Sequence, residues 1–291
     1  MRVVLAGAFG HLGSDILREL IARGYDVVAA GRTVRDVEGV DAGSYRAVQV
    51  DVCDPASLKG LCDGASCVVS TVGLVGASPT VTNYDIDYQG NMNLLREARA
   101  AGVRRFVYSS VVKADTAPAV PMADAKARFE TALKASGLSY LIVRPSGYAY
   151  DMAKVFMPMV EKGKVTLLKR GVRANIIDTG DLARFMVEHL QDDGSATYEI
   201  GGPETYTYEQ IAKMFFEAAG KKPSISYAPA ILFDVLARKA KHDGNGKEAI
   251  IRFSKWTLTE DMVGDVSYGT TSFADYIKGC YGGSGTAGGE A

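Results

Sequence analysis

Histidine is scarce in this chain, and its few cysteines are scattered. The three histidines, His11, His189 and His242, form no cluster, and Cys53, Cys62, Cys67 and Cys280 include no CxxC pair. A structural zinc site has no ligand set, so no metal is expected. An excess of one charge is also lacking: 33 Lys and Arg stand against 34 Asp and Glu, for a net charge of −1. No summed field draws the chain to nucleic acid or to an anionic membrane surface. It holds no run of about 18 apolar residues, the length a bilayer span needs. No basic segment leads into a long apolar stretch at the N-terminus, and the expectation is a cytoplasmic protein. What is present is ordinary for a globular chain: 291 residues, 47% hydrophobic and 23% charged. That is enough for a substantial core and a smaller second lobe.

The chain opens on a hydrophobic strand, Val3 to Ala6, which runs into Gly7-Ala8-Phe9-Gly10-His11-Leu12-Gly13 and a helix-like stretch from Ser14 to Arg23. Glycines at i, i+3 and i+6 between a strand and a helix let a diphosphate approach bare backbone and meet unpaired N–H groups. The spacing is GxxGxxG and departs from the strict GxGxxG fingerprint, but the strand-turn-helix setting is the one that phosphate binding requires. A dinucleotide is therefore expected at Gly7, Phe9, Gly10, His11, Leu12 and Gly13. His11 is read as a helix-start side chain facing solvent or the cofactor, with no chemical role.

Short hydrophobic strands then alternate with helices. Strands are expected at Tyr25 to Ala30, Arg46 to Val50, Ser66 to Thr71, Arg105 to Ser109 and Tyr140 to Arg144, with helices over Tyr84 to Ala101 and 122 to 136. This alternation predicts an α/β fold, a Rossmann-type doubly wound parallel sheet. After Pro145 the regularity breaks down. Met152 to Lys162 reads as a helix and Val165 to Leu168 as a strand, and Thr179 can cap a helix to Leu190. Another helix begins at Thr207, where Gln210 completes a capping box, and Pro223 and Pro229 bracket a strand. We read 1–150 as the nucleotide-binding core, with 174–201 returning to it. Residues 151–173 and 202–281 form a smaller C-terminal substrate lobe, and 282–291 a glycine-rich flexible tail. Substrate is expected in the crevice between lobe and nucleotide. Nothing in the pattern sets an oligomeric state.

In an NAD-binding unit the second strand ends on an acidic residue that meets the ribose 2′-hydroxyl. Here it ends Ala29-Ala30-Gly31-Arg32-Thr33, with no carboxylate before Asp36. The guanidinium of Arg32 suits a 2′-phosphate, with Arg35 able to assist, so NADP(H) is the expected cofactor. A solvated loop arginine is the alternative. Asp51 can accept from the adenine amino group or simply hold a turn, and Val52 can pack the ring edge. Thr71, Val72 and Gly73 end the fourth strand, where the backbone meets the cofactor.

These features, with Tyr108-Ser109-Ser110, Arg144-Pro145-Ser146 and Ile177-Asp178-Thr179-Gly180-Asp181-Leu182-Ala183, resemble the short-chain dehydrogenase/reductase superfamily. The likeness is to its atypical or extended members, similar to NmrA and to the isoflavone-reductase-like and divinyl-reductase-like enzymes, over about residues 1 to 200. The resemblance implies a serine at Ser109 or Ser110 and a cofactor contact at Pro145. It also implies a YxxxK pair, whose tyrosine protonates the substrate while its lysine holds the nicotinamide ribose. The chain departs from that pattern: the matching stretch is Met122-Ala-Asp-Ala-Lys126, and a thioether donates no proton. Met122, Lys126, Phe129 and Leu133 share one helix face, so the ammonium needs a partner. The cofactor ribose can supply one, or the side chain can snorkel to water.

Tyr148 and Tyr150 follow the sixth strand and either face the crevice or pack the lobe. Lys113 is a further cleft group or a solvated loop lysine. Tyr148, Met152, Phe156, Met157 and Met159 form either an apolar wall for a hydrophobic small-molecule substrate or a lobe core. The expected function is an NADPH-dependent reductase acting on a hydrophobic or aromatic carbonyl or conjugated alkene, with Lys126, Ser109, Ser110 and Tyr148 as its catalytic candidates. A non-catalytic NADP(H) sensor or assembly factor is the alternative. A nucleotide-sugar epimerase or dehydratase fits less well, because such relatives keep the tyrosine.

Overall fold

A computed structural model of the chain describes residues 1–74 and 76–282. Runs of valine, alanine and other compact side chains set the first strands, β1 (Arg2–Ala6), β2 (Asp26–Gly31), β3 (Arg46–Gln49) and β4 (Cys67–Ser70). Next come β5 (Arg105–Ser109), β6 (Ser139–Pro145), β7 (Val165–Leu167) and β8 (Arg173–Ala174). The last four are β9 (Ala196–Gly201), β10 (Tyr206–Thr207), β11 (Ile225–Tyr227) and β12 (Val266–Ser267). Among the described residues eight of these form one sheet in the order β12-β9-β6-β5-β4-β1-β2-β3. Every pairing in that sheet is parallel.

The helices are α1 (His11–Ala22), α2 (Asn91–Ala100), α3 (Pro121–Lys134), α4 (Ala149–Glu161), α5 (Thr179–Glu188), α6 (Tyr208–Ala218), α7 (Ile231–His242), α8 (Glu248–Thr259) and α9 (Phe273–Gly282). Strand periodicity sends alternate residues to opposite faces. Val3 and Leu5 pack with Ile16 and Leu17 of α1 and Leu182 and Met186 of α5. Val4 and Ala6 pack with Leu94 and Ala98 of α2 and Phe129 and Leu133 of α3. The sheet is thus doubly wound, and each such buried Leu, Ile or Phe contributes about 1.5–3 kcal/mol. The chain runs from β1 outward to β3 and returns to β4 on the other side of β1, so a crevice opens beyond the carboxyl ends of β1 and β4.

A C-terminal lobe is built on a separate core in which Phe156, Phe215, Ile211 and Ile277 are buried. It carries the antiparallel pair β8 and β10 and the parallel pair β7 and β11. Its helix α6 starts on the capping box the sequence predicts, with Thr207 Oγ1 accepting from Gln210 N and Gln210 Oε1 from Thr207 N. A hairpin of α7 and α8 attaches where Phe253 and Trp256 pack on Ala117, Val120 and Ala123.

Three local readings are corrected. The stretch Tyr84–Gly90 is a wide π-turn, and α2 starts only at Asn91. The cause is the Asn91 amide, whose Nδ2 donates to the carbonyls of Val72 and Asp87 at 3.2 and 3.0 Å and opens the winding. The cap of α5 is Asp178, whose Oδ1 accepts from Gly180 N at 2.8 Å, and not Thr179. Phe156 stacks on Phe215 at 5.4 Å and is buried, so it is lobe core and not substrate wall, while Met152, Met157 and Met159 are half-buried against the same cluster. Beyond Gly282, the expected tail lies outside the described residues.

Candidate active site

The glycine turn is shaped by close approach. Gly7 has φ +83°, and a Cβ there would lie 2.5 Å from Thr71 Oγ1. A Cβ on Gly13 would fall inside the Gly7 carbonyl oxygen, so this glycine lets α1 pack against the turn. Gly10 is exposed, and a Cβ on it would meet only the Gly7 oxygen, at 3.3 Å. Helix α1 starts there with no side-chain cap and no acidic residue in its first turn. Its free N–H groups and positive dipole end therefore meet no carboxylate in the first turn of the helix, and this cradle fits a diphosphate. Phe9 and Leu12 turn into the core, so only their backbone belongs to the turn. Thr71 Oγ1 donates to the carbonyls of Ala6 and Gly7 at 3.3 and 3.2 Å and ties β4 to the turn.

At the other end of the crevice mouth, Arg32 is exposed just past β2, its carbonyl accepting from Gln49 Nε2 at 3.1 Å. The guanidinium of Arg35 donates to the carbonyl of Phe9 and so lies against the glycine turn. Asp51 holds a turn, with Oδ1 accepting from Cys53 N at 2.9 Å. Val52 packs on the core cluster beneath α2.

Ser109 closes β5, and its Oγ lies 3.3 Å from the hydroxyl of Tyr148, the residue just before α4. Lys126, on α3, is buried and donates from Nζ to the Ser109 carbonyl at 3.2 Å. It also pairs with Asp87 Oδ1 at 3.2 Å. Of the two readings of Lys126, snorkelling to water is not what the structure shows: its partners are a carboxylate and a carbonyl inside the protein. Asp87 Oδ2 accepts from Leu74 N and Asn83 Nδ2 at 3.2 and 2.9 Å, whereas Oδ1 is buried with no directed hydrogen bond. A Cβ on Gly73 would sit 2.8 Å from that Oδ1 and 3.5 Å from Lys126 Nζ. The glycine thus leaves space over the ion pair. Val72 lies beside it, half-buried. A carboxylate oxygen held only by its ion pair, an ammonium and a bare strand end together fit a ribose bearing vicinal hydroxyls.

Burial pushes the Tyr148 phenol up to about 12, opposed by its Ser109 hydrogen bond. Burial also pushes up its neighbour Tyr150, whose ring stacks on Tyr148 at 5.7 Å and on His11 at 3.9 Å. The rings of His11, Tyr150 and Tyr148 therefore form a continuous stack from the glycine turn to Ser109.

Ser110 stands apart from this group. Its Oγ donates to buried Glu130 at 2.5 Å, and buried Arg144 bonds Glu130 at 2.6 Å, the exposed Asp115 at 2.9 Å and Glu199 at 3.1 Å. Pro145 is buried in β6, its carbonyl accepting from Val112 N at 3.0 Å. Lys113 has φ +55° and donates from Nζ to the Asp261 carbonyl at 2.6 Å, a structural contact to the lobe. Sequence reasoning missed Asp87. The signal available was the polar series Asn83, Asp87, Asn91, spaced by four and buried throughout.

Residues 7–193 match a family described as NAD(P)H-binding. The chain belongs to that family. It is an NAD(P)(H)-binding protein with a Rossmann-type sheet, related to the short-chain dehydrogenase/reductase and NmrA-like proteins. Among its relatives is the photosystem II assembly factor Ycf39 of Synechocystis, 25% identical, with 88% of this chain and 76% of that protein covered. Another is the chloroplastic divinyl chlorophyllide a 8-vinyl-reductase of Oryza sativa, 27% identical over 80% of this chain and 62% of the relative. An NADPH-dependent quinone oxidoreductase from Escherichia coli shares the fold with a TM-score of 0.75 at 21% identity, covering 96% of this chain and 99% of the other.

The relatives correct the cytoplasmic expectation, because they include chloroplastic proteins, the vinyl-reductase among them. That expectation rested on the want of a leader pattern, and neither the fold nor the cofactor cradle carries an address. No helix among the described residues is long and apolar enough to cross a membrane.

Proposed function

We propose that the protein is an NADPH-dependent reductase of a hydrophobic carbonyl or conjugated alkene, in which Tyr148 replaces the tyrosine missing at Met122. The observation that carries this reading is the placement of the Tyr148 hydroxyl 3.3 Å from Ser109 Oγ, with Lys126 Nζ on the carbonyl of the same serine. Serine, tyrosine and lysine meet at the end of β5 although the tyrosine comes from the segment after β6. When bound, the cofactor supplies hydride. Tyr148 supplies the proton from its hydroxyl, and Ser109 orients that hydroxyl. Lys126 and Asp87 hold the ribose hydroxyls over Gly73, and the first turn of α1 takes the diphosphate through Gly10, His11, Leu12 and Gly13. Arg32, aided by Arg35, takes the 2′-phosphate. Ser110 and Pro145 act as supports, through Glu130 and Val112. Residues 151–173 and 202–281 cover the substrate side. The quinone oxidoreductase and vinyl-reductase names among similar proteins support an unsaturated, apolar substrate.

The assembly-factor relatives favour a second reading, a nucleotide-binding assembly factor without turnover. One experiment separates the two. NADPH and NADH are titrated by calorimetry, and absorbance at about 340 nm is then followed in the same samples with quinones, enones and aromatic ketones. Tight NADPH binding with substrate-dependent oxidation is the expected result; tight binding with none across the panel favours the assembly factor.

A further inference from the structure

We infer that α7 is a docking helix for a lipid surface bearing anionic headgroups. Its amphipathicity is inverted for a helix of a soluble domain. The inward side buries only Ala237 and Ala240, whereas Ile231, Leu232, Val235 and Leu236 stand 58, 49, 54 and 51% exposed. At 100° per residue these four aliphatic side chains fall within one outward arc over the first two turns. Exposed Ile250 on α8 belongs to the same hairpin. A contiguous aliphatic patch on a surface marks an interaction site.

The charge on the hairpin names the partner. Between Ala230 and Thr259 the chain carries Arg238, Lys239, Lys241, Lys247, Arg252 and Lys255 against Asp234, Asp243 and Glu248, a local balance of +3 in a chain of −1. Two ion pairs within the hairpin, Lys255 with Asp234 at 2.7 Å and Arg252 with Glu248 at 2.9 Å, neutralise four of these groups. Arg238, Lys239, Lys241 and Lys247 are left exposed against the one exposed carboxylate of Asp243, at the C-terminal end of α7 and in the following loop. Aliphatic first turns followed by basic last turns describe a helix that enters an interface by its N-terminal half and holds headgroup phosphates with its C-terminal half. The overall charge conceals this site because the remaining chain carries the compensating acids. The Lys255–Asp234 pair fixes α7 on α8, and Phe253 and Trp256 fix α8 on the domain, so the face is presented preformed.

The test uses the full chain and co-sedimentation with vesicles of phosphatidylcholine alone or of phosphatidylcholine containing about one third phosphatidylglycerol. Each Lys or Arg near an anionic surface contributes about fivefold in affinity. The expected result is binding to the anionic vesicles at least tenfold tighter than to the neutral ones. It is lost at least tenfold in the double variant Val235→Ser/Leu236→Ser and in Arg238→Glu/Lys239→Glu, with circular dichroism unchanged in both. Equal binding to both vesicle types, variants that bind like wild type, or no binding at all would each overturn the proposal. A wild-type dimer in sedimentation velocity that the serine variant disperses, without vesicle binding, would also overturn it and assign the face to a second copy of the chain.

Discussion

Tyr148 is held in its protonated form by its surroundings. With burial pushing the phenol up to about 12, Tyr148 carries its proton throughout the neutral range, although as a weaker acid than a free tyrosine. The rate of the proposed reduction should therefore be flat from about pH 6 to 9, because the Tyr148 hydroxyl does not titrate in that range. Tyr148→Phe is expected to lower kcat by about 10²–10⁴-fold, the usual contribution of a positioned acid, while NADPH affinity by calorimetry stays within a factor of two or so. Unchanged turnover would remove Tyr148 from the chemistry. Arg32 is a simpler case, because it is exposed and its side chain has room to meet a phosphate. Arg32→Ala should weaken NADPH at least about tenfold and leave NADH unchanged, since a charge-assisted hydrogen bond of roughly 1.5–3 kcal/mol is removed from one cofactor only. The sequence shows Lys126 through its helix-face neighbours and Tyr148 through its place after a strand. Their meeting at Ser109 is not legible there, because it depends on β6 lying beside β5 in register.

The elements that support the site differ in how far their residues reveal them. Strands β1, β2, β4, β5 and β6 read clearly because each is a short apolar run buried on two faces, whereas β3, at the sheet edge, is mostly exposed. The π-turn before α2 does not, because it is set by one asparagine amide bonding to carbonyls of two segments. Helix α7 escaped for the opposite reason. Its apolar residues lie outward, so they carry no core periodicity of the ordinary kind. Ser110 was read as chemistry when it is an anchor, and Glu130 explains why. That buried carboxylate accepts from Ser110 and Arg144 and joins α3 to the strand end that carries Ser109. Arg144→Met leaves Glu130 buried without its main partner and should cost about 3–5 kcal/mol of stability, read from the urea midpoint. A cost below about 1 kcal/mol would mean that Glu130 takes up its proton or finds water.

At the scale of the whole molecule, the balanced charge leaves burial as the main source of pH dependence on the alkaline side. Burial pushes Tyr148 and Tyr276 up to about 12, raises Tyr108 and Tyr208, and moves the buried thiols of Cys62 and Cys67 to about 12. In the unfolded chain these groups give up their protons near 10 for the phenols and 9 for the thiols. The folded state therefore holds more protons than the unfolded one once pH exceeds about 9, and stability must fall as pH rises from there through about 12. The stabilisation is complete below the unfolded values, so no loss from these groups is expected between pH 6 and 8. The groups are divided between the two cores, with Tyr108, Cys62 and Cys67 within the sheet and Tyr208 and Tyr276 in the lobe. Both parts should loosen over the same interval, giving one thermal transition whose midpoint drops between pH 9 and 12. Two transitions that separate with rising pH would show that the lobe opens independently of the sheet, so that the lobe can move while the cofactor cradle stays folded.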